Sequence, residues 1–179
     1  MAHDSPHIGT NIPGYSIPVI NERAVRAGAG ILFLLGAIAF GAALFMGSTV
    51  PLQPFGMLFM ADMMLRLFAG DRWSPSLALG RLIVRRQEPE WVGASQKQFA
   101  WSLGLGLAFV SCAGMGVLSA PLWLTLVLCG LCLSLLYLET AFGICVGCIL
   151  QARFGKTPPM YCAGGSCEAN SQQSVSLLD

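Results

Sequence analysis

The sequence predicts an all-α fold: an integral membrane bundle of four transmembrane helices, with a short interfacial helix in the central cytoplasmic loop. Three observations predict it. Apolar residues make up 55% of the chain and charged residues 11%, where soluble domains carry about a quarter charged residues. Four stretches come near the roughly 20 apolar residues that a bilayer span requires. The basic residues gather on one side of those stretches, as orientation in a membrane demands.

The N-terminal residues 1–22 read as a polar tail. Met1-Ala-His-Asp-Ser-Pro-His lacks the basic-then-apolar order of a cleaved secretory leader. His3 and His7 in it read as solvated bystanders. A four-helix transmembrane domain follows over residues 23–150. Its first span covers 27–46 and is uncharged and rich in Gly and Ala. The second, 52–69, carries Asp62 and Arg66. The third covers 99–119; Pro121 breaks the run, and the fourth covers 122–142. Small residues such as Gly36, Ala37, Gly41, Gly104 and Gly116 let the helix backbones approach closely.

Four spans put the N-terminal segment, the central loop and the C-terminal tail on one side. That side receives Arg23, Arg26, Arg72, Arg81, Arg85, Arg86, Lys97, Arg153 and Lys156. The opposite turns, near Gly47–Gln53 and Ser119–Pro121, receive no basic residue. The loaded side is therefore expected to be cytoplasmic, with both termini there. Trp73, Trp91 and Trp101 fall near that interface, and Trp123 near the far one. In the central loop Ser74-Pro75 is a helix start, with Ser as cap and Pro in the first turn. The apolar and arginine-flanked run Leu77–Arg86 suits a helix lying in the interface. It suits equally a connector whose arginines only fix topology.

Net charge is +1, with no basic run to neutralise phosphates, which argues against nucleic-acid binding. No Ser/His/Asp triad, phosphate loop or dinucleotide fingerprint is visible. The chemistry sits in the cysteines. Six of the seven form three close pairs: Cys129/Cys132, Cys145/Cys148 and Cys162/Cys167. Cys129 and Cys132 share a face inside the fourth helix, where a disulfide would be strained, and read first as packing residues. Cys112 reads as packing on the third helix. Cys145 and Cys148 stand where Gly143 and Gly147 loosen the helix near water, which lets the pair close and a thiolate form. Cys162 and Cys167 bracket a Gly-Gly turn in the cysteine-containing tail, residues 151–179. Together the last two pairs approximate the spacing of a four-thiolate zinc or iron–sulfur site. The cytoplasm keeps thiols reduced, so transient disulfides, persulfides or a bound metal are expected there rather than permanent cross-links.

Asp62 and Arg66 have the i,i+4 spacing of an intrahelical ion pair, and Glu139 stands about two turns before Cys145. Ionisable groups within spans are costly and mark function or internal pairing. In one reading Arg66 satisfies both acids; in the other Glu139 exchanges protons with the Cys145/Cys148 thiols.

Ile17–Arg26, Leu79–Gln87 and Glu139–Cys148 resemble the signature stretches of an uncharacterised bacterial integral membrane family, domain of unknown function 4395. The likeness runs from about Ile17 to Leu150. It implies a thiol or sulfane-sulfur context, with thioredoxin-like or rhodanese-like partners, by analogy.

The leading expectation is thiol-based redox chemistry at the cytoplasmic face. Cys145 and Cys148 are its primary dithiol, Cys162 and Cys167 a second pair, and Glu139 the proton-exchanging group. The alternatives are a zinc or iron–sulfur protein using those four cysteines as ligands, and a small transporter of a sulfur compound or soft metal. Besides the lipid bilayer, an oligomer is compatible with the sequence.

Overall fold

The computed structural model describes residues 8–116 and 121–154. Of the turn expected at Ser119–Pro121, only Pro121 falls among them. Helices dominate, and a small antiparallel ribbon that the sequence reading lacks holds the N-terminal segment to the central loop. Its strands are β1 (Val19–Asn21) and β2 (Trp91–Gly93), with Val19 opposite Gly93 and Asn21 opposite Trp91. From residue 8 onward the expected polar tail is folded: Ile8 is buried, and Thr10 bridges Val19.

Helix α1 (Glu22–Met46) starts where the Asn21 side chain accepts the Arg23 N–H, and Gly47 closes it with φ 59°. Helix α2 (Leu52–Met64) runs without a break into a π-helical turn, Leu65–Ala69. Helix α3 (Pro75–Val84) begins as the Ser-Pro pair requires, with the Ser74 hydroxyl accepting the Leu77 N–H. Helix α4 (Ala94–Gly116) follows β2, and α5 (Leu122–Tyr137) passes into a second π-helical turn, Leu138–Phe142. Gly143, at φ 67°, ends that turn, and α6 (Val146–Phe154) follows.

Among the described residues, three helices are long and apolar enough to cross a membrane. They are α1, α4, and α5 together with its π-helical turn. Leu34, Ile38, Phe45, Phe109, Val127 and Leu131 are exposed along them, as contact with lipid tails allows. The stretch Leu52–Ala69, expected as a further span, is a 13-residue α-helix continued by five π-helical residues.

The core joins these helices to the loop. Leu32, Phe59, Met63, Leu77, Trp101 and Leu136 belong to one buried cluster. Helix α3 lies on the first turns of α1, backbone against backbone. A Cβ at Gly80 would collide with the carbonyl oxygen of Ala24, and one at Gly28 would stand 3.0 Å from that of Ser76. Glycine at both positions is what admits this approach.

Candidate thiol site

The helix breaks after α5, and that break positions the cysteine pair. The π-helical turn ends at Gly143, whose left-handed conformation costs glycine little. Arg26 of α1 braces the turn, with Nη2 donating to the Thr140 carbonyl at 3.1 Å and to that of Ala141 at 3.4 Å. Cys145 then stands immediately before the first residue of α6, and Cys148 lies in its first turn. The two are joined by a disulfide, with Cα atoms 5.2 Å apart. The Cys148 N–H donates to Cys145 Sγ at 3.3 Å. Both residues are half-buried.

Gly147, between the two cysteines, is the point where α6 meets α4. A Cβ there would lie 2.6 Å from both Cα and Cβ of Ala100. No larger residue fits without moving one helix. The expectation that Gly147 loosens the helix gives way to a packing role: it brings the N-terminus of α6 close against α4.

Beside Cys145 is an apolar cavity of about 100 Å³, with Cys145, Glu139, Trp101, Arg66 and Cys132 among its walls. Glu139 and Cys145 thus line one and the same cavity. Glu139 Oε1 accepts from Lys97 Nζ at 2.9 Å. The same ammonium donates to Glu22 Oε1 at 2.9 Å and stands 2.8 Å from Oε2. One lysine on α4 therefore bridges carboxylates at the start of α1 and the end of α5. Lys97 and Glu22 are buried, so these charges rely on each other rather than on water.

This geometry corrects one expectation. Arg66 does not serve both acids. It pairs with Asp62, with Nη2 at 2.7 Å from Oδ2, while Glu139 is paired by Lys97. Ser74 and Ser76 complete the Asp62 network: their hydroxyls donate to Oδ1 and Oδ2, both at 2.7 Å. Arg66 also lies over the Trp101 ring, 5.1 Å from its centroid.

The other described cysteines, Cys112, Cys129 and Cys132, are free and half-buried. They line a second, smaller cavity of about 30 Å³ with Ser111 and Met115, so Cys112 does not pack apart from the pair on α5. Cys132 lies on the walls of both cavities. Cys162 and Cys167 lie outside the described residues. The zinc or iron–sulfur expectation needs them; among the described residues no three His, Cys, Asp or Glu side chains converge as metal ligands do.

Sequence reasoning missed Lys97 and Trp101 as parts of the site, and the packing role of Gly147. A lysine two residues before an uncharged span was the available signal for the first. The other two depend on which helix faces which, and periodicity does not carry that.

A protein-family model described as Domain of unknown function (DUF4395) matches residues 20–156. The chain belongs to that family. No curated protein and no solved structure matches it.

Proposed function

We propose that this member of the DUF4395 family is a multi-pass membrane protein whose Cys145/Cys148 pair performs reversible thiol–disulfide chemistry at the cytoplasmic face of a bacterial inner membrane. One observation carries the reading: the two sulfurs are bonded at the N-terminus of α6, where Cys145 lines a cavity together with Glu139. A helix N-terminus favours negative charge, and a thiolate is the attacking species in exchange.

In this reading the reduced Cys145 thiolate attacks a partner disulfide. That forms a mixed disulfide and releases one partner thiolate. Cys148 then attacks Cys145 Sγ, closing the internal disulfide and releasing the second partner thiolate. The two protons lost by the cysteines end on the partner's sulfurs, and Glu139 is the carboxylate that relays them. The partner is a soluble thioredoxin-like or rhodanese-like protein, with Cys162 and Cys167 as the second pair in the exchange.

The membrane arrangement belongs to the same proposal. Leu52–Ala69 would be the second of four spans, since its 18 residues reach about 27 Å at the helical rise, near the thickness of a hydrocarbon core. Met57, Leu58 and Phe68 are exposed along it. Helix α3 would lie in the interface, with Leu79, Leu82 and Ile83 exposed beside Arg85 and Arg86. The basic residues of the α3 end make that end cytoplasmic.

Trapping tests the chemistry. A Cys148→Ser chain is expected to accumulate a mixed disulfide through Cys145, seen by mass spectrometry of the non-reduced protein. Exchange at the wild-type rate in a chain carrying both Cys145→Ser and Cys148→Ser would refute the reading.

A further inference from the structure

We propose that the cavity beside Cys145 is a quinone site, and that a membrane-soluble quinone exchanges two electrons with the Cys145/Cys148 pair. The inference rests on the dithiol reading above with its exchange run in reverse: a partner dithiol reduces the Cys145–Cys148 disulfide, and the quinone reoxidises the pair. Three features of the cavity point to this ligand class.

The first is its walls and mouth. Phe59, Met63, Leu107 and Leu136 make it apolar. Leu103, Ile144 and Leu150 line it too and are exposed side chains of the apolar surface. A ligand would enter from the lipid rather than from water. The volume of about 100 Å³ is of the order that holds a single six-membered ring.

The second is a donor without an acceptor. Trp101 lines the cavity, is buried, and its Nε1–H has no hydrogen-bond partner among the described residues. Leaving such a donor unmet costs about 1–3 kcal/mol. Arg66, also on the wall and buried, commits Nε and Nη2 to Asp62, Ser74 and Ser76. The Trp101 N–H is thus the donor left to a ligand. An apolar ring bearing a carbonyl oxygen would satisfy it while filling the apolar space. A purely hydrocarbon ligand would leave it unmet.

The third is the neighbour. Cys145 and Glu139 line the same space, so a ring held there would stand beside both a redox-active sulfur and a carboxylate. The step balances: two thiols and a quinone become one disulfide and one quinol. The S–S bond forms as two S–H bonds break, two electrons pass to the quinone, and the two protons finish on its oxygens.

The test uses the full chain, reduced and reconstituted in nanodiscs, with a short-chain ubiquinone as probe. One quinol per chain is expected, formed as two thiols disappear. Cys145→Ser should form no quinol. Quinone quenching of tryptophan fluorescence should saturate in the wild type and in Cys145→Ser alike, which reads binding without altering the donor. Trp101→Phe, which keeps an aromatic ring and removes the N–H, should raise KM about two- to tenfold with kcat little changed. A chain that exchanges with a soluble disulfide yet neither binds nor reduces quinone overturns this inference and leaves the dithiol reading standing. Quinone bound without reduction overturns the electron exchange, and an unchanged KM in Trp101→Phe overturns the assigned site.

Discussion

Gly147 rests so closely on Ala100 that a single methyl group would lie 2.6 Å from that residue's Cα. The contact lies between Cys145 and Cys148, so the packing of α6 on α4 and the geometry of the thiol pair are one feature. Gly147→Val should therefore do two things. It should destabilise the protein by about 1–3 kcal/mol through overpacking, read as a lower Tm in detergent. It should also speed alkylation of Cys145 after reduction, as α6 moves off α4. An unchanged alkylation rate would separate the two.

Lys97 is the next point of weakness. Lys97→Met would leave Glu22 and Glu139 facing each other without a cation, and breaking a buried pair costs about 3–5 kcal/mol. Loss of folded protein on size-exclusion chromatography is the expected readout. Adding Glu22→Gln and Glu139→Gln should recover much of it, because no unpaired charge then remains. A Lys97→Met chain as stable as wild type would show that water reaches the carboxylates.

The Ser74 hydroxyl both caps α3 and donates to Asp62. Ser74→Ala is expected to cost about 1–2 kcal/mol, the upper part of the range for a lost cap. Thermal unfolding would register it, and Ser74→Thr should restore most of the loss.

How much of this was legible follows from the physics of each element. The C-terminal end of α1 and the N-terminal end of α3 were open to reading, because Gly47, Ser74 and Pro75 act through local geometry. The candidate dithiol was also visible, because two cysteines three residues apart beside glycines meet on any helix end. The ribbon of β1 and β2 was not, since three-residue strands are too short to show an alternating period. Nor was the choice of partner for Glu139. Only Arg66 was weighed for it; Lys97 read as a loop cation on the loaded side, and the packing of α4 is what gives it the carboxylate.

Gly80→Ala offers a check on the loop. The added methyl would meet the Ala24 carbonyl, so α3 should lift from α1, costing about 1–3 kcal/mol. Limited proteolysis should then cut within Arg81–Arg86 faster than in the wild type. Equal protection would place the flexibility of that contact in α1 instead.

Arg66 and Glu139 each sit inside a π-helical turn. Each such turn closes its helix ahead of Gly70 or Gly143 with wider winding than an α-helix, and removing one residue would swing the side chains between the deletion and that glycine by about 100°. Single-residue deletions in Leu65–Ala69 or Leu138–Phe142 would thus leave the hydropathy profile nearly intact while steering a charge away from its ion-pair partner. For this chain, tolerance to in-frame deletion should be poorest at two places that an apolar plot makes look interchangeable with their neighbours.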